Sequence, residues 1–245
     1  MVHEMIDGTF RQTNLTNESA EYLSKREELR HAEIELMRQR EAVAELRRAL
    51  PAGATIPDYE FLEGPTAVDD GDEPVTKVRL SELFTAPDRS LVIYHFMYGK
   101  KQANPCPMCT AWIDSFNGIA HHVAQNTDLA IVAAADPATL RAHGRKRGWD
   151  KLRLLSAGES TFKYDLGSED TEGHQDSTIS VFTRDNDGTL RHFYSGHPWL
   201  ADDIKERGID GLNPIWNILD LTPQGRSDWY ASLDYGTRVK VATQR

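Results

Sequence analysis

The sequence predicts an α/β protein with a central mixed sheet flanked by helices, a long N-terminal helical arm and a C-terminal helical extension. Between residues 91 and 147, apolar runs of strand length alternate with segments whose apolar residues recur at helical spacing. Residues 178–184 and 189–195 flank the sequence DNDG, which is typical of the turn in an antiparallel hairpin. Residues 18–50 lack glycine and proline and are rich in strong helix formers.

The helical arm is predicted over residues 18–50, and the polar residues 1–17 before it predict a flexible N-terminal tail. A helix of this span is about 50 Å long at about 1.5 Å per residue, longer than one small domain can cover. Its apolar residues fall seven positions apart, at Tyr22, Leu29, Leu36, Val43 and Leu50. We therefore predict that the arm forms a homodimer, with folding back along its own domain as the alternative.

Residues 51–230 are predicted to form one α/β domain with its C-terminal extension, followed by a polar tail at residues 231–245. Prolines and a glycine in residues 51–57 end the arm, and Asp136 before a proline starts a later helix. The predicted strands are residues 59–62, 75–80, 91–98, 128–135, 152–155, 178–184 and 189–195. The predicted helices are residues 110–125, 137–147, 199–207 and 212–219, with a helical turn at residues 81–84.

The two cysteines open a predicted helix, directly after the central strand and a basic loop. If Cys106 is the N-cap and Pro107 the first helical residue, the free backbone N–H groups of Met108 and Cys109 point at the Cys106 sulfur. These groups, the helix dipole and two lysines in the loop favour a thiolate, and such settings lower a thiol pKa from about 8.5 to between about 3.5 and 7.5. A strand, a turn and a helix-opening CxxC form the thioredoxin arrangement.

We therefore predict a thiol-disulfide oxidoreductase in which Cys106 is the nucleophile. Cys109, one turn further along the helix and less exposed, would resolve the mixed disulfide and release the reduced substrate. The expected partner is a thiol or disulfide, carried by a protein or a small molecule. A structural disulfide, or two unreactive thiols in the core, is the alternative.

Further motifs follow one another in a specific order and spacing from about residue 18 to residue 230. They are RRALP at 47–51, YEF at 59–61, YHFMY at 94–98, CPMC at 106–109, FKYD at 162–165 and LDLTP at 219–223. Together they resemble the predicted dithiol-disulfide oxidoreductases of the thioredoxin-like superfamily, a family catalogued mainly as a domain of unknown function. The resemblance implies a thioredoxin-like fold with redox-active Cys106 and Cys109. It implies no particular substrate.

One departure from ordinary thioredoxins concerns substrate binding. Those proteins place a cis-proline opposite the CxxC, where it helps to hold the substrate backbone. Here no proline lies between Pro137 and Pro198, and Thr178 stands at the corresponding place. We predict that Pro107, Met108 and Thr178 contact the substrate.

His95 interrupts the central strand, at a position where thioredoxins carry a buried acid. A histidine beneath the resolving cysteine could accept the Cys109 proton, so His95 is predicted as a catalytic base. The alternative is a histidine that is hydrogen-bonded within the core and takes no part in the chemistry.

Three other functions compete with the oxidoreductase. A copper chaperone of thioredoxin fold would use Cys106, Cys109 and a histidine such as His174 to bind Cu(I), although such cysteines are usually spaced one residue wider. A peroxiredoxin would have a threonine where this chain has Ala103, and a non-catalytic dimer would keep the fold alone. We predict no cofactor and no metal, because His121 and His122 lack zinc-site spacing to the cysteines.

Composition limits the class of protein further. A formal charge of −10 over 245 residues disfavours binding to nucleic acid, whose phosphates attract a basic surface. No apolar run approaches the roughly 20 residues of a membrane helix, and the first residues lack a secretory signal pattern. Two cysteines in a chain of this length are typical of a reducing compartment, so we expect no membrane partner and a cytoplasmic location.

Overall fold

The computed structural model describes residues 4–6, 8–204 and 207–235. Parts of the two predicted tails, residues 1–3, 7 and 236–245, lie outside the described residues. The chain forms two compact units, Met1–Pro51 and Ala52–Arg245. None of the helices in the described ranges is long and apolar enough to cross a membrane.

The first unit contains a long helix, α1 (Ala20–Arg48), which confirms the helical arm. Ser19 is its N-cap, and the Ser19 hydroxyl accepts a hydrogen bond of 3.1 Å from the Tyr22 amide. Two short strands, β1 (Glu4–Ile6) and β2 (Thr9–Arg11), form an antiparallel hairpin within the predicted tail.

Strands of three residues carry too little alternation to be recognised in a sequence, so this hairpin is not among the predicted elements. Its second strand is attached to α1. The Phe10 amide donates to the Glu27 carboxylate at 2.8 Å, and the Arg30 guanidinium lies 4.5 Å from the centre of the Phe10 ring.

The second unit is built on a seven-stranded mixed sheet with strand order β4-β3-β7-β6-β5-β8-β9. The strands are β3 (Glu60–Glu63), β4 (Thr76–Arg79), β5 (Leu91–Phe96), β6 (Asp128–Ala133), β7 (Arg153–Ser156), β8 (Thr178–Arg184) and β9 (Leu190–Gly196). The strands β5, β6 and β7 run parallel, whereas β8 is antiparallel to both β5 and β9. This sheet and the helices on it confirm the predicted thioredoxin-like α/β class.

The helices of the second unit are α2 (Pro107–Val123), α3 (Pro137–Arg147), α4 (Phe162–Asp165) and α5 (Pro214–Asp220), with 3-10 turns at Leu80–Leu83 and Asp210–Leu212. The helix α3 has the predicted bounds, and its N-cap Asp136 accepts from the Thr139 amide at 2.9 Å. The helix α2 begins directly after its predicted N-cap, Cys106, and ends at Val123, two residues before the predicted end.

The central strand β5 separates two apolar clusters, because successive side chains of a strand point to opposite faces. Tyr94 and Phe96 pack in the cluster that contains the two cysteines and α2. Leu91 and Ile93 pack in the cluster on the other face, with Phe162. Any side chain of β5 can therefore be assigned to the cysteine face or to the opposite face.

Two predictions for the C-terminal part are wrong. Residues 199–204 and 207 form no helix, and residues 205–206 of that predicted helix lie outside the described residues. The chain turns instead, closed by a 2.8 Å hydrogen bond from the Gly208 amide to the Pro198 carbonyl. The predicted polar tail starts too early as well, since Ala231 is buried in the cluster around the cysteines.

Candidate functional site

The thiol of Cys106 occupies the N-cap position of α2, as predicted. Pro107 follows within the first turn, and the Cys109 amide donates to the Cys106 sulfur at 3.4 Å. The Cys106 amide in turn donates to the Met97 carbonyl at 3.1 Å, which ties the start of the helix to the end of β5. The sequence builds this junction because proline lacks an N–H that the first helical turn would leave unpaired.

The Cys106 sulfur accepts several hydrogen bonds, and these bonds lower its pKa from 9.0 to about 7. The bond from the Cys109 thiol contributes most, and the amides of Cys109 and Met108 and the Tyr230 hydroxyl add to it, while burial opposes the shift. The predicted help from the loop lysines is not the main cause. Lys100 pairs with Glu169 instead.

The Cys109 thiol has the opposite tendency. Cys109 is 1% exposed, and this burial raises the pKa of its thiol well above the usual value. The hydrogen bond that Cys109 gives to Cys106 and the charge of the Cys106 thiolate raise the pKa further. The Tyr94 hydroxyl and the Met97 amide act in the opposite direction and lower it. Both cysteines are free thiols. The pair is therefore asymmetric, with an ionisable thiol beside a protonated one.

One peptide group connects Cys109 to a buried lysine. The N–H of Met97 interacts with the Cys109 sulfur and favours its thiolate, and the carbonyl of the same peptide, that of Phe96, accepts from Lys163 Nζ at 3.3 Å. Lys163 is fully buried, and burial lowers its pKa to about 8, opposed by the charges of Cys109, Glu169 and Asp176. A cation on the carbonyl polarises the peptide and strengthens the bond that its N–H gives to sulfur.

His95 does not lie under Cys109, so its predicted role as the base for that thiol is wrong. Its ring faces the opposite side of the sheet and stacks on Phe162, with ring centres 5.1 Å apart. Nδ1 meets the Ser168 hydroxyl at 2.6 Å and Nε2 meets the Ser180 hydroxyl at 3.0 Å. Burial lowers the pKa of His95 well below its usual value, which leaves a neutral, fully paired core histidine.

Tyr94 is the residue of β5 that reaches the cysteines. It is fully buried, and its hydroxyl makes no hydrogen bond of standard geometry among the described residues. Burial raises its pKa well above 10, and the hydroxyl interacts with Cys109 and Ser177. The prediction of His95 falls on the wrong face of the strand, because His95 is the ionisable residue of an apolar run in which Tyr94 has the pattern of ordinary core.

A cavity of about 200 Å³ opens beside the two cysteines. Its walls come from the start of α2, the approach to β8, the loop after β9 and the C-terminal segment. Apart from the cysteines, the side chains that matter most are Met108, Trp112, Ser177, Trp199 and Tyr230. Met108 thus lines the cavity beside the thiols, and its contact with a substrate stays a prediction.

The other two predicted contact residues do not line this cavity. Pro107 lines a separate cavity of about 210 Å³ with Trp229 and Ala231. Thr178 misses by one residue. Ile179 packs in the cluster that contains the cysteines, whereas Ser180 bonds His95 on the opposite face of the sheet. Because side chains alternate along a strand, Thr178 also points to the face opposite the cysteines. Ser177, one residue earlier, lines the cavity instead.

His174, the histidine of the alternative copper-chaperone interpretation, does not line the cavity beside the cysteines. Its ring is exposed and contacts Asp170, with 2.9 Å between Nδ1 and Oδ2. Within the described ranges, no three histidine, cysteine or acidic side chains are arranged to hold a metal ion.

Sequence reasoning missed Tyr230 and Lys163. Tyr230 lies in the predicted C-terminal extension, and no local pattern connects it with Cys106. Lys163 lies in the FKYD motif, where a lysine between two aromatic residues has the composition of an exposed helical turn. Only the tertiary structure brings these residues to the thiols.

A family model described as "Bacterial protein of unknown function (DUF899)" matches residues 11–240. The chain belongs to this family. The resemblance seen in the sequence is therefore confirmed for the DUF899 family and for a thioredoxin-like fold. No curated protein matches the chain.

Solved structures similar to this DUF899 protein come from several organisms. Oxidized Prx3 from Vibrio vulnificus is 18% identical, covering 58% of this chain and 87% of that chain, with a TM-score of 0.42. AhpC from Enterococcus faecalis is 12% identical, covering 74% and 98%, with a TM-score of 0.45. A reduced 2-Cys peroxiredoxin from Plasmodium vivax is 12% identical, covering 68% and 95%, with a TM-score of 0.46. Similarity at this level carries no information on activity.

Proposed function

We propose that this DUF899 protein is a dithiol-disulfide oxidoreductase, with Cys106 as the nucleophile and Cys109 as the resolving cysteine. The observation that carries the proposal is the opposite setting of two thiols three residues apart. The pKa of Cys106 is lowered to about 7 at the open end of α2, whereas the pKa of Cys109 is raised by burial. An attacking thiol is most effective when its pKa is close to the ambient pH.

The reaction takes place in two exchange steps. The Cys106 thiolate attacks one sulfur of a substrate disulfide, the substrate S–S bond breaks, and the leaving thiolate takes the electron pair and then a proton from water. The Cys109 thiolate then attacks Cys106 in the mixed disulfide and expels the second thiol. The substrate gains two electrons and two protons, and the protein becomes a Cys106–Cys109 disulfide. A dithiol donor would restore it.

The surroundings of Cys109 suit the second step. The proton on Cys109 must leave before attack, and its pKa falls once Cys106 is bound in a mixed disulfide, because the neighbouring negative charge and the hydrogen bond to it are gone. The Tyr94 hydroxyl and the Met97 amide then stabilise the new thiolate, with Lys163 behind the peptide. A reducing compartment such as the cytoplasm would keep the pair ready for reaction.

The test is redox equilibration followed by trapping. In buffers with a graded ratio of 2-mercaptoethanol to its disulfide, the wild type should interconvert between two thiols and one internal disulfide, measured by alkylation and mass spectrometry. With a disulfide substrate, Cys109→Ser should accumulate a mixed disulfide at Cys106. Cys106→Ser should accumulate much less, since its remaining thiol is buried and protonated.

A non-catalytic thioredoxin-like protein would behave differently. Its cysteines would form no reversible internal disulfide at any ratio of 2-mercaptoethanol to its disulfide, and neither serine variant would trap a substrate. That result would reject the oxidoreductase.

A further inference from the structure

We infer that the cavity beside Cys106 selects small disulfides that carry an uncharged, apolar group on the sulfur under attack. The inference rests on the proposed function and names its substrate class. It follows from three properties of the cavity, namely its volume, the chemistry of its lining and the pairing of its charged groups.

The volume limits the size of the group. The cavity measures about 200 Å³. Pockets for drug-sized ligands measure roughly 300–1,000 Å³, whereas an apolar cavity of about 150 Å³ is enough for benzene. One aromatic ring or a short alkyl chain therefore fits beside the thiols. The glutathionyl group, a charged tripeptide, does not.

The lining favours an apolar group. Trp112 and Met108 are almost fully buried and form the inner wall, next to Cys109. Trp199 is 57% exposed and Tyr230 is 45% exposed, so aromatic surface remains accessible where the cavity opens. A ring or alkyl chain that enters between them removes apolar surface from water on both partners.

The charges disfavour an anionic substrate. None of the described residues lining the cavity is a lysine or an arginine. The two titratable side chains besides the thiols and Tyr230 are Asp176 and His197, and they bond each other, with 3.0 Å between Oδ2 and Nε2. A carboxylate in the cavity would meet Asp176 and find no free cation, so it would lose its hydration without compensation.

The chemistry is the first exchange step with a defined orientation. The apolar half of the disulfide occupies the cavity, its sulfur bonds to Cys106, and the other half leaves as a thiolate that carries the electron pair into solvent. Cys109 then displaces the apolar thiol and closes the internal disulfide. The protein supplies both electrons, so a single turnover needs no other reductant.

The test compares disulfides of similar size and different charge. Fully reduced wild-type protein is mixed with dipropyl disulfide, bis(hydroxyethyl) disulfide or dithiodipropionate, and thiol loss is followed over one turnover. Each rate is divided by the rate of the same disulfide with dithiothreitol, which removes intrinsic reactivity. High salt screens the net charge of −10, so that long-range repulsion of the dianion does not contribute. We expect dipropyl disulfide to exceed dithiodipropionate by about tenfold or more.

Variants at the opening of the cavity show whether the preference for an apolar disulfide depends on the side chains there. Trp199→Arg should lower the normalised preference for dipropyl disulfide several-fold, because it removes aromatic surface and supplies the missing cation. The neighbouring Leu200→Ala is the matched control. Leu200 is 65% exposed and does not line the cavity, so its variant should keep the wild-type preference.

The outcomes separate this inference from the proposed function. Equal normalised rates for all three disulfides, with an internal disulfide formed each time, would overturn the inference and leave the oxidoreductase intact. A preference that Trp199→Arg leaves unchanged would also overturn it, because the selection would lie elsewhere. Failure of every disulfide to oxidise the protein would reject the proposed function itself.

Discussion

At the scale of single residues, the ionisation of the Cys106 thiol depends on hydrogen bonds to its sulfur. Because these bonds lower the thiol pKa from 9.0 to about 7, the thiolate is the minor form below neutral pH and the major form above it. The rate of the first exchange step should therefore rise about tenfold per pH unit below pH 7 and level off above about pH 8.

This pH profile is measured with an uncharged disulfide in the Cys109→Ser variant, which isolates the first step but also removes the Cys109 thiol from the list of donors. The ultraviolet absorbance of the thiolate in the wild type gives an independent midpoint. A rate that still climbs tenfold per unit between pH 8 and pH 9 in the wild type would mean that Cys106 is an ordinary thiol.

Lys163 should speed the second exchange step, in which Cys109 attacks the mixed disulfide, and it should lower the free energy of unfolding at pH 7. Lys163→Met removes the cation behind the Phe96–Met97 peptide, so the Cys109 thiolate loses support and the mixed disulfide should decay about tenfold more slowly. The variant should fold as stably as wild type at pH 7 or more so, by up to about 3 kcal/mol, because burial of a charged lysine is unfavourable.

The pH dependence of stability gives Lys163 a signature of its own. Its pKa falls from 10.5 in the unfolded chain to about 8 in the folded protein, so between these values the unfolded state binds more protons. As the pH rises from 8 to 10.5, the free energy of unfolding of the wild type should therefore increase relative to that of Lys163→Met, as measured by urea denaturation.

The exposed Lys151→Met serves as the control, since Lys151 pairs only with its neighbour Asp150 at the surface. A Lys163→Met protein with normal decay of the mixed disulfide would refute the link between the lysine and Cys109.

At the scale of elements, the helix α3 secures the long connection between β3 and β4. Arg141, on α3, is 3% exposed and donates to the carbonyls of Pro65, Ala67, Val68 and Gly71, at distances from 2.6 to 3.1 Å. Its planar guanidinium satisfies several backbone acceptors at once, which a lysine could not do.

Arg141→Met should lower the free energy of unfolding by about 2 kcal/mol, because the part-buried carbonyls of Pro65 and Gly71 lose their guanidinium donor. The urea midpoint should fall with an unchanged slope. Lys146→Met, an exposed change on the same helix, should stay within about 0.5 kcal/mol of wild type. Equal stability of the two variants would show that the connection is held by its packing alone.

The sequence predicted the elements well where periodicity is strong. The parallel strands and the helices α2 and α3 follow from apolar runs, helical spacing and caps, so their positions could be read without the structure. The helix expected at residues 199–207 fails because a local hydrogen bond across that segment competes with helix formation. Thr178 fails for another reason, since a prediction displaced by one residue reverses the face of a strand.

The residues of the site were predictable only in part. Cys106, Cys109 and Met108 follow from the CxxC and from the start of the helix. Lys163 and Tyr230 do not, because each lies far from the cysteines in sequence and neither forms a recognisable pattern with them. His95 shows the converse, since an ionisable residue in a core strand attracts a functional assignment that its hydrogen bonds do not support.

At the scale of the whole molecule, α1 carries an exposed apolar stripe. Tyr22, Leu29, Leu36 and Leu46 are each more than half exposed, although the first three fall seven residues apart. Such spacing is typical of a helix that pairs with another helix. We propose that this stripe joins two copies of the chain, as the sequence analysis expected.

The substitution Leu29→Glu together with Leu36→Glu should convert a dimer into a monomer, because it places like charges opposite one another in the seam. Sedimentation velocity of the full chain measures the change. Met37→Glu is a matched control, since Met37 is 58% exposed and lies on a different face of the helix. A wild-type chain that sediments as a monomer at high micromolar concentration would contradict the proposed dimer.

The peptide between residues 96 and 97 has a consequence for natural variation among relatives of this chain. Its two polar atoms serve Lys163 and Cys109, yet every amino acid except proline brings the same two atoms to those places. Relatives should therefore tolerate many side chains at both positions, as long as they fill the space, and still retain the lysine. A proline at position 97 would be the informative exception, because it alone deletes the donor while preserving the chain.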